Sequence, residues 1–345
     1  MLRTPARVLP REGQTEIILH FRKSNLIRKQ ISLANMLKLK FKDFLRKTQF
    51  LTQTDYLLLC VDTVRHYRSN RNFLKQNPGF AAPPKRLSFD AYNHTSLKIY
   101  DVEGRIHARL ITDSIKKYLQ SDIHSDDVTD KVTDDAGNPG TEVTRKPGIQ
   151  SDRKSITPST KVPISNLRLA EWGCGPARLI RHLTQIDGIG RIELHGYDYN
   201  SATIDWCKKN LEEISFHTCN LEPPLSAGSD YFDCVYALSV FTHLSEKMHY
   251  EWMDELFRVL RPGGVLIFTT HGNNSAHRLL PDDRKTYEAG GLVVKGGVSE
   301  GKKHFLAYHP PAHIRNKLLK GKKILGHLES PDEYRLGQDV WIVRK

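Results

Sequence analysis

Two short stretches of the chain combine residue types that can hold a nucleoside. Gly173 and Gly175 follow the apolar segment 167–172. A glycine turn after a strand lets a ligand approach backbone N–H groups at the start of a helix. Asp198 ends the next apolar segment, where a carboxylate can hold both hydroxyls of a ribose. This pattern predicts a site for a nucleoside-containing cofactor.

The residues after the glycine turn restrict which cofactor fits. A dinucleotide fingerprint needs a third glycine three residues after the second, and Arg178 stands there instead. No Gly-Lys-Ser/Thr sequence follows, which excludes a phosphate-binding P-loop. A nucleoside ligand without a buried pyrophosphate remains.

Alternating strand and helix patterns from residue 167 onward position these residues. Helices are predicted over about 176–185 and after two candidate N-caps, Asn200 and Ser245. Strands are predicted over 167–172, 191–197, 215–219, 231–238, 265–270, 323–328 and 339–343. Such alternation predicts an α/β fold with a doubly wound, seven-stranded, mostly parallel sheet. Ligands then bind beyond the carboxyl ends of the strands.

Composition divides the chain into four regions. We predict a basic helical region over 1–80 and an N-terminal cap helix of the core over 81–120. Residues 121–165 are rich in Ser, Thr, Asp, Gly and Pro without apolar periodicity, which predicts a disordered loop. The core spans 166–345, with a glycine-punctuated hairpin insertion at about 273–310.

The positive charge of the chain is concentrated near its start. Of the net charge of +13, residues 1–80 carry +11, from 16 Lys and Arg against 5 Asp and Glu. Such a segment suits nucleic acid, an anionic membrane surface or a phosphorylated carrier, although a solvated helix face explains it equally well. Apolar residues at helical spacing among its lysines predict a basic amphipathic helix: Leu37, Phe41, Phe44 and Leu45.

The compartment is predicted from what the sequence lacks. No apolar run approaches the roughly 18 residues of a membrane span, so no transmembrane segment is expected. The five cysteines form no CxxC pair, and no secretory leader is recognised. These features predict a cytoplasmic protein without a metal site, peripheral to the inner membrane surface if the basic region docks there.

Several ordered motifs together resemble the class I S-adenosylmethionine-dependent methyltransferases. They are Glu171-x-Gly173-x-Gly175, Asp198, Phe232-Asp233-x-Val235 and the run Arg-Val-Leu-Arg-Pro-Gly-Gly at 258–264. The resemblance covers about residues 165–271 and implies S-adenosyl-L-methionine as the cofactor. Glu171 replaces the usual Asp, and Ala177 after Pro176 replaces the usual third small residue.

The resemblance also implies which residues bind the cofactor. Gly173 and Gly175 would carry its methionyl part, with Glu171 near the amino group. Asp198 would accept the ribose hydroxyls, and Tyr199 would cover one adenine face. The remaining positions would meet the adenine edge and the floor of the site: Asn220, Leu221, Leu238 and Ser239.

Methyl transfer to a neutral hydroxyl needs a base, and histidine has a suitable pKa. His243 follows the fourth predicted strand and is the first candidate; His271, which ends the fifth, is the second, and His309 is the third. Each could instead be a structural histidine. Some sugar methyltransferases of this class pair a histidine like His243 with an N-terminal tyrosine, which implies Tyr92 as its counterpart.

The acceptor is assigned only by resemblance. The motif order is most similar to bacterial methyltransferases of glycan and surface-polysaccharide assembly, which implies O-methylation of a sugar, glycolipid or polysaccharide, with the hairpin insertion forming the acceptor pocket. RNA methylation through the basic region is an alternative. A non-catalytic scaffold with a methyltransferase fold is the other.

Overall fold

The computed structural model describes residues 36–41, 43–46, 50–119, 166–184, 186–187 and 189–345. The loop predicted over 121–165 and the first 35 residues of the basic region lie outside these ranges. Among the helices described, none combines the length and apolarity needed to cross a membrane.

Within these described ranges, nine strands form two sheets. They are β1 (Leu167–Trp172), β2 (Ile192–Asp198), β3 (Ser215–Thr218), β4 (Phe232–Ala237), β5 (Leu260–Thr270), β6 (Val293–Lys295), β7 (Leu306–Tyr308), β8 (Lys323–Leu328) and β9 (Asp339–Arg344). The large sheet has the order β3-β2-β1-β4-β5-β9-β8, and only β9 runs antiparallel to its neighbours. The predicted doubly wound, seven-stranded, mostly parallel sheet is therefore confirmed.

Helices accompany the sheets. They are α1 (Leu51–Gln76), α2 (Lys85–Tyr92), α3 (Leu97–Tyr118), α4 (Ser201–Asn210), α5 (Glu246–Val259) and α6 (Pro281–Glu288). The side chains of Asn200 and Ser245 cap α4 and α5 by accepting the N–H groups of Thr203 and Met248, as the sequence predicts. One face of the sheet buries an apolar cluster with α3 and α4, and the other buries a cluster with α5.

The helix predicted over 176–185 is absent from the residues described there. Ala177 has a φ of 61°, a left-handed conformation that an α-helix does not accept, and only a 3-10 turn follows at Ile180–His182. Helix α3 lies directly against this segment: a Cβ on Gly104 would stand 2.1 Å from the carbonyl oxygen of Arg178. The close contact with α3 leaves room for turns and not for a helix.

Two residues of the motifs that carry the resemblance, Asp233 and Arg261, stabilise the sheet away from the glycine turn. Asp233 accepts a hydrogen bond from the Arg168 N–H at 2.8 Å and one from Arg261 Nε at 2.5 Å. These contacts link the amino-terminal part of β1 to β4 and β5, at the end of the sheet away from the glycine turn. This part of the motif pattern therefore stabilises the fold.

Helix α1 is attached to the core through polar side chains. Asn70 donates to the carbonyl of Thr95 at 2.7 Å and accepts from the N–H of Leu97 at 2.9 Å. Asp62 accepts both the N–H and the hydroxyl of Thr95, at 2.6 and 2.8 Å. These bonds fix α1 beside the start of α3.

The structure predicts that acid destabilises the fold through buried histidines. Burial lowers the pKa of His249 and of His271 from 6.5 to about 4, and that of His107 to about 3. Because the unfolded chain takes up protons below pH 6.5 and the folded chain does not, stability is full above pH 6.5 and falls towards pH 4. Each of the first two should cost roughly 2 kcal/mol at pH 5. Thermal unfolding at pH 7.5 and pH 5 measures this.

The histidine contribution can be isolated with variants. Burial raises the pKa of Glu171 and of Asp198, which changes stability in the opposite direction on acidification, so the histidine contribution is the difference in pH dependence between a variant and the original chain. His249→Gln should flatten the pH dependence between 6.5 and 4, whereas the exposed His277→Gln should not. Equal slopes in both variants would contradict the assignment.

Candidate functional site

A hollow of about 800 Å³ lies beyond the carboxyl ends of β1, β2, β4 and β5. We call it the switch-point hollow, because the strand order reverses between β1 and β4 and ligands of such sheets bind at this point. All of the predicted site residues except Glu171 and His309 line it: Tyr92, Gly173, Gly175, Asp198, Tyr199, Asn220, Leu221, Leu238, Ser239, His243 and His271.

The glycine turn is present, but its N–H groups are already bonded. Gly173 and Cys174 both donate to the carbonyl of Tyr197, at 2.8 and 3.0 Å, and Gly175 donates to Asp198 Oδ2 at 2.9 Å. The expectation of free amides at a helix start is therefore wrong here. What the turn supplies is a surface without side chains, on which a ligand can lie directly.

Asp198 is placed at the tip of β2, against the glycine turn. Its Oδ2 accepts from Gly175 and its Oδ1 accepts from the Asn200 N–H at 2.8 Å. Burial raises the pKa of this carboxyl, while the two backbone N–H groups act to lower it. A carboxylate oxygen has about two lone-pair positions, so each oxygen can still accept a hydroxyl from the hollow.

Glu171 is not brought to the hollow. Its side chain is 5% exposed, and its Oε2 accepts from the Ile180 N–H at 3.1 Å, behind the glycine turn. Burial raises the pKa of this carboxyl well above its ordinary value. The position of Glu171 fits a residue that fixes the 3-10 turn, and it corrects the expectation that this carboxylate lies at the methionyl amino group.

The residues present fit an adenosyl and methionyl ligand. Glycine is required at the turn: a Cβ on Gly173, where φ is 77°, would stand 2.4 Å from Val240 Cγ2. A Cβ on Gly175 would stand 3.0 Å from the Tyr92 hydroxyl. The carboxylate of Asp198 and the ring of Tyr199 line the same open space. A bare backbone, a diol acceptor and an aromatic face are thus available together.

We expect Gly173→Ala to destabilise the fold by about 1–3 kcal/mol and to weaken cofactor binding. The new methyl group would clash with Val240, and alanine is strained at the positive φ of this position. The double variant Gly173→Ala/Val240→Ala removes the clash and keeps the backbone strain. It should recover part of the stability in a denaturant titration. If both variants have the same unfolding free energy as the original chain, the result would contradict the close contact between position 173 and Val240.

Two histidines are oriented by alternate carbonyls of the hairpin. His243 Nδ1 lies 2.7 Å from the Phe305 carbonyl oxygen, and His271 Nδ1 lies 3.0 Å from that of Ala307. Because a carbonyl only accepts, each Nδ1 carries the proton and each Nε2 keeps its lone pair. Burial lowers the pKa of His243 and lowers that of His271 to about 4, so both rings are neutral at pH 7.

His309, the third candidate base, does not line the hollow. Its side chain is 1% exposed, and its Nε2 lies 3.3 Å from Nε2 of His249, which also contacts the Phe241 carbonyl at 2.7 Å. Burial lowers the pKa of His309 well below its ordinary value. This histidine belongs to the protein interior.

Tyr92 contacts the glycine turn from the N-terminal side. Its hydroxyl accepts from the Arg178 N–H at 3.4 Å, and the Arg178 guanidinium lies 4.0 Å from the centre of its ring. Burial raises the pKa of Tyr92 well above 10, so the phenol stays protonated and can donate into the hollow.

The segment before β7 crosses the hollow and is bonded to both sides of it. The Gly301 N–H donates to the His243 carbonyl at 2.9 Å, and its own carbonyl accepts from the Tyr199 hydroxyl at 3.1 Å. The Lys302 ammonium lies 5.2 Å from the Tyr199 ring centre. Strands β6 and β7 pair antiparallel within the stretch where a hairpin is predicted, and β7 carries the histidine-orienting Ala307 carbonyl.

Other lining residues were not predicted. Gln338 accepts from the hydroxyls of Thr269 and Ser239, at 2.6 and 3.1 Å, and so holds the end of β4 beside β5. Arg178 adds a positive charge beside the glycine turn, paired with Glu103. Arg178 could have been found from the sequence, because it stands within the glycine-turn motif. Nothing in the sequence near Gln338 indicates a site.

Comparison with known proteins agrees with this geometry. Residues 170–268 match a family model described as a methyltransferase domain. The chain is also 26% identical over 113 residues to a Schizosaccharomyces pombe protein described as tRNA N(3)-methylcytidine methyltransferase trm140. That match covers 30% of this chain and only 36% of the relative.

Several solved structures resemble part of the chain. A SAM-dependent methyltransferase from Methanosarcina mazei is 22% identical, covering 52% of this chain and 92% of its own, with a TM-score of 0.39. One from Mesorhizobium loti is 15% identical, covering 53% and 93%, with a TM-score of 0.38. The family match, together with the site built on the strand ends, identifies residues 170–268 as a methyltransferase domain whose cofactor is S-adenosyl-L-methionine.

Proposed function

We propose that the protein transfers a methyl group from S-adenosyl-L-methionine to a hydroxyl of a sugar, in a nucleotide sugar, a glycolipid or a polysaccharide. The observation that supports a hydroxyl acceptor is the pair of neutral histidines with Nε2 lone pairs beside the hollow. An alcohol must lose its proton as the new bond forms, and a base in reach accepts it.

Within this proposal the residues of the turn and the strand tips hold the cofactor. Gly173 and Gly175 support its methionyl part, Asp198 accepts the ribose hydroxyls, and Tyr199 covers the adenine. The adenine edge faces Asn220 and Leu221, while Leu238 and Ser239 form the floor. When bound, the cofactor supplies a methyl group already activated by its sulfonium charge.

His243 is the proposed general base. Its ring lies at the end of β4, where the chain turns into a 3-10 segment, and the Phe305 carbonyl fixes its tautomer. His271, with a pKa of about 4, holds a proton too weakly to be efficient at neutral pH, and we assign it a positioning role beside His243. The Tyr92 phenol is the proposed donor to the bound ligands on the opposite wall.

A transfer assay tests the acceptor class. The protein is incubated with cofactor carrying a tritiated methyl group and with extracts separated into lipid-linked glycan, nucleotide sugar, nucleic acid and protein. We expect label in a glycan fraction, stable to base and released with the sugar on acid hydrolysis. Label confined to RNA or protein would refute the sugar assignment. Absence of micromolar cofactor binding in calorimetry would indicate a scaffold.

RNA is a second candidate acceptor, supported by two observations. The relative from Schizosaccharomyces pombe is described as a tRNA methyltransferase. In addition, residues 1–80 carry a charge of +11. Binding of transfer RNA that weakens steeply with salt would favour this function. The two neutral histidines favour a hydroxyl acceptor over a base nitrogen such as N3 of cytidine, because that nitrogen attacks through its own lone pair without first losing a proton.

A further inference from the structure

A second cavity of about 880 Å³, here called the side cavity, adjoins the switch-point hollow. It lies between residues 38–41 and 43–46, α1, and the hairpin with the segment just before α6. The two spaces share a wall: Asp55, Asn93, Arg278, Lys303, His304 and Leu306 line both. A ligand that occupies both spaces would therefore contact these residues.

The walls of the side cavity are mainly apolar. Its apolar lining residues include Phe41, Leu45, Leu58, Val61, Leu279 and Tyr308. Phe41 is 60% exposed, and Leu58 and Val61 are each 53% exposed, so the apolar wall continues to the outer surface. Exposed apolar residues of α1 extend this surface further, among them Leu57 and Val64.

Most charges around the side cavity are already paired. Lys295 lies between Asp43 and Asp283, at 3.3 and 2.6 Å. Lys303 lies 3.3 Å from Asp55 and 4.2 Å from the centre of the Phe89 ring. These pairs neutralise the charges of Lys295 and Lys303, while the exposed Lys38 and Arg65 also line the cavity, away from the shared wall.

Arg278 is the exception at the shared wall. Within the described part of the chain, no carboxylate lies within 4.0 Å of its guanidinium, and the side chain is exposed to both spaces. It is close enough to His271 and to Tyr308 to act on the pKa of each. An unpaired guanidinium between two cavities, one of them beside the proposed base, is a place for an anionic group of the acceptor.

We propose that the acceptor is a sugar linked to a lipid through phosphate, with the apolar chain in the side cavity and the phosphate on Arg278. This inference rests on the proposed function, and it selects among the proposed acceptors. A nucleotide sugar has no group for an apolar cavity, whereas a phosphate-linked lipid carries an anion between its chain and its sugar. A chain longer than the cavity leaves over Phe41 and Val61 towards the exposed face of α1.

Binding measurements with simple amphiphiles test this without any methyl transfer. The probe is dodecyl phosphate below its critical micelle concentration, followed by calorimetry. Dodecyl glucoside has the chain without the anion, and glucose 1-phosphate has the anion without the chain. We expect dodecyl phosphate to bind with a stoichiometry of one and at least about tenfold more tightly than either.

Three variants locate the site. Arg278→Gln should weaken dodecyl phosphate about tenfold and leave dodecyl glucoside unchanged, because only the charged contact is lost. Leu58→Glu, at an exposed position of the cavity wall, should weaken both dodecyl compounds. Arg191→Gln, exposed and lining neither space, is the matched control and should bind like the original chain.

The outcomes separate this inference from the proposed function. Equal binding of dodecyl phosphate by Arg278→Gln and the original chain, or stoichiometries far above one, would overturn the lipid phosphate site. The same holds if glucose 1-phosphate binds as tightly as the amphiphile. Methylation of a water-soluble nucleotide sugar alongside such results would leave the proposed function standing. If dodecyl phosphate binds in a way that depends on Arg278, but no methyl group is transferred to a sugar, the lipid phosphate site would stand and the proposed function would be refuted.

Discussion

Replacing His243 with alanine is expected to lower turnover by about 100-fold or more while leaving the Kd for S-adenosyl-L-methionine unchanged. The loss follows from the geometry of the ring. Its Nδ1–H is donated to Phe305, so Nε2 is the only atom that can take the acceptor proton. The cofactor positions proposed on the glycine turn and Asp198 do not involve this side chain.

Steady-state kinetics with saturating acceptor and calorimetry with the cofactor give the two quantities. His277→Ala is a suitable control, since His277 is exposed and lines neither cavity. Because burial lowers the pKa of His243, the original enzyme should keep its rate somewhat below pH 6.5 before the base becomes protonated. Full activity in His243→Ala, with His271→Ala inactive, would transfer the role to His271.

The position of the site follows from local sequence, because strand ends can be read from apolar runs. Gly173 and Asp198 each end such a run, and parallel strands bring their carboxyl ends to one edge. The turn after Gly175 could not be read in this way. Its form depends on α3, whose Gly104 lies about seventy positions earlier and packs against the Arg178 carbonyl. No periodicity within 176–185 reports that contact.

The orientation of the histidines was equally hidden. The sequence places His243 and His271 after two strands, but their tautomers are set by the backbone carbonyls of Phe305 and Ala307. Every residue has a backbone carbonyl, so the residue types do not show which carbonyl a histidine contacts. The side cavity has the same origin, since its walls combine residues between 38 and 93 with residues between 278 and 308. Local sequence patterns therefore predict where the strands end, while tertiary contacts determine which other residues lie beside those ends.

Asp198→Ala is expected to raise the Kd for S-adenosyl-L-methionine by about tenfold or more, since hydrogen bonds to a charged group contribute about 1.5–3 kcal/mol. The same carboxylate also holds the N–H groups of Gly175 and Asn200, so part of the loss comes from a looser turn. Asp205→Ala, an exposed position on α4, provides the matched control.

Thermal unfolding with and without cofactor separates these two contributions. Without ligand, any decrease in stability measures the loss of the two backbone contacts. With ligand at 100 times the original Kd, binding stabilises the original chain by about 2.7 kcal/mol, and a tenfold weaker site reduces this to about 1.4 kcal/mol. A variant that loses stability but keeps the full ligand-induced increment would show Asp198 to be a clamp for the turn alone. The ribose would then have to be held by other groups, and the assignment of the switch-point hollow to an adenosyl ligand would lose its only carboxylate contact at the tip of β2.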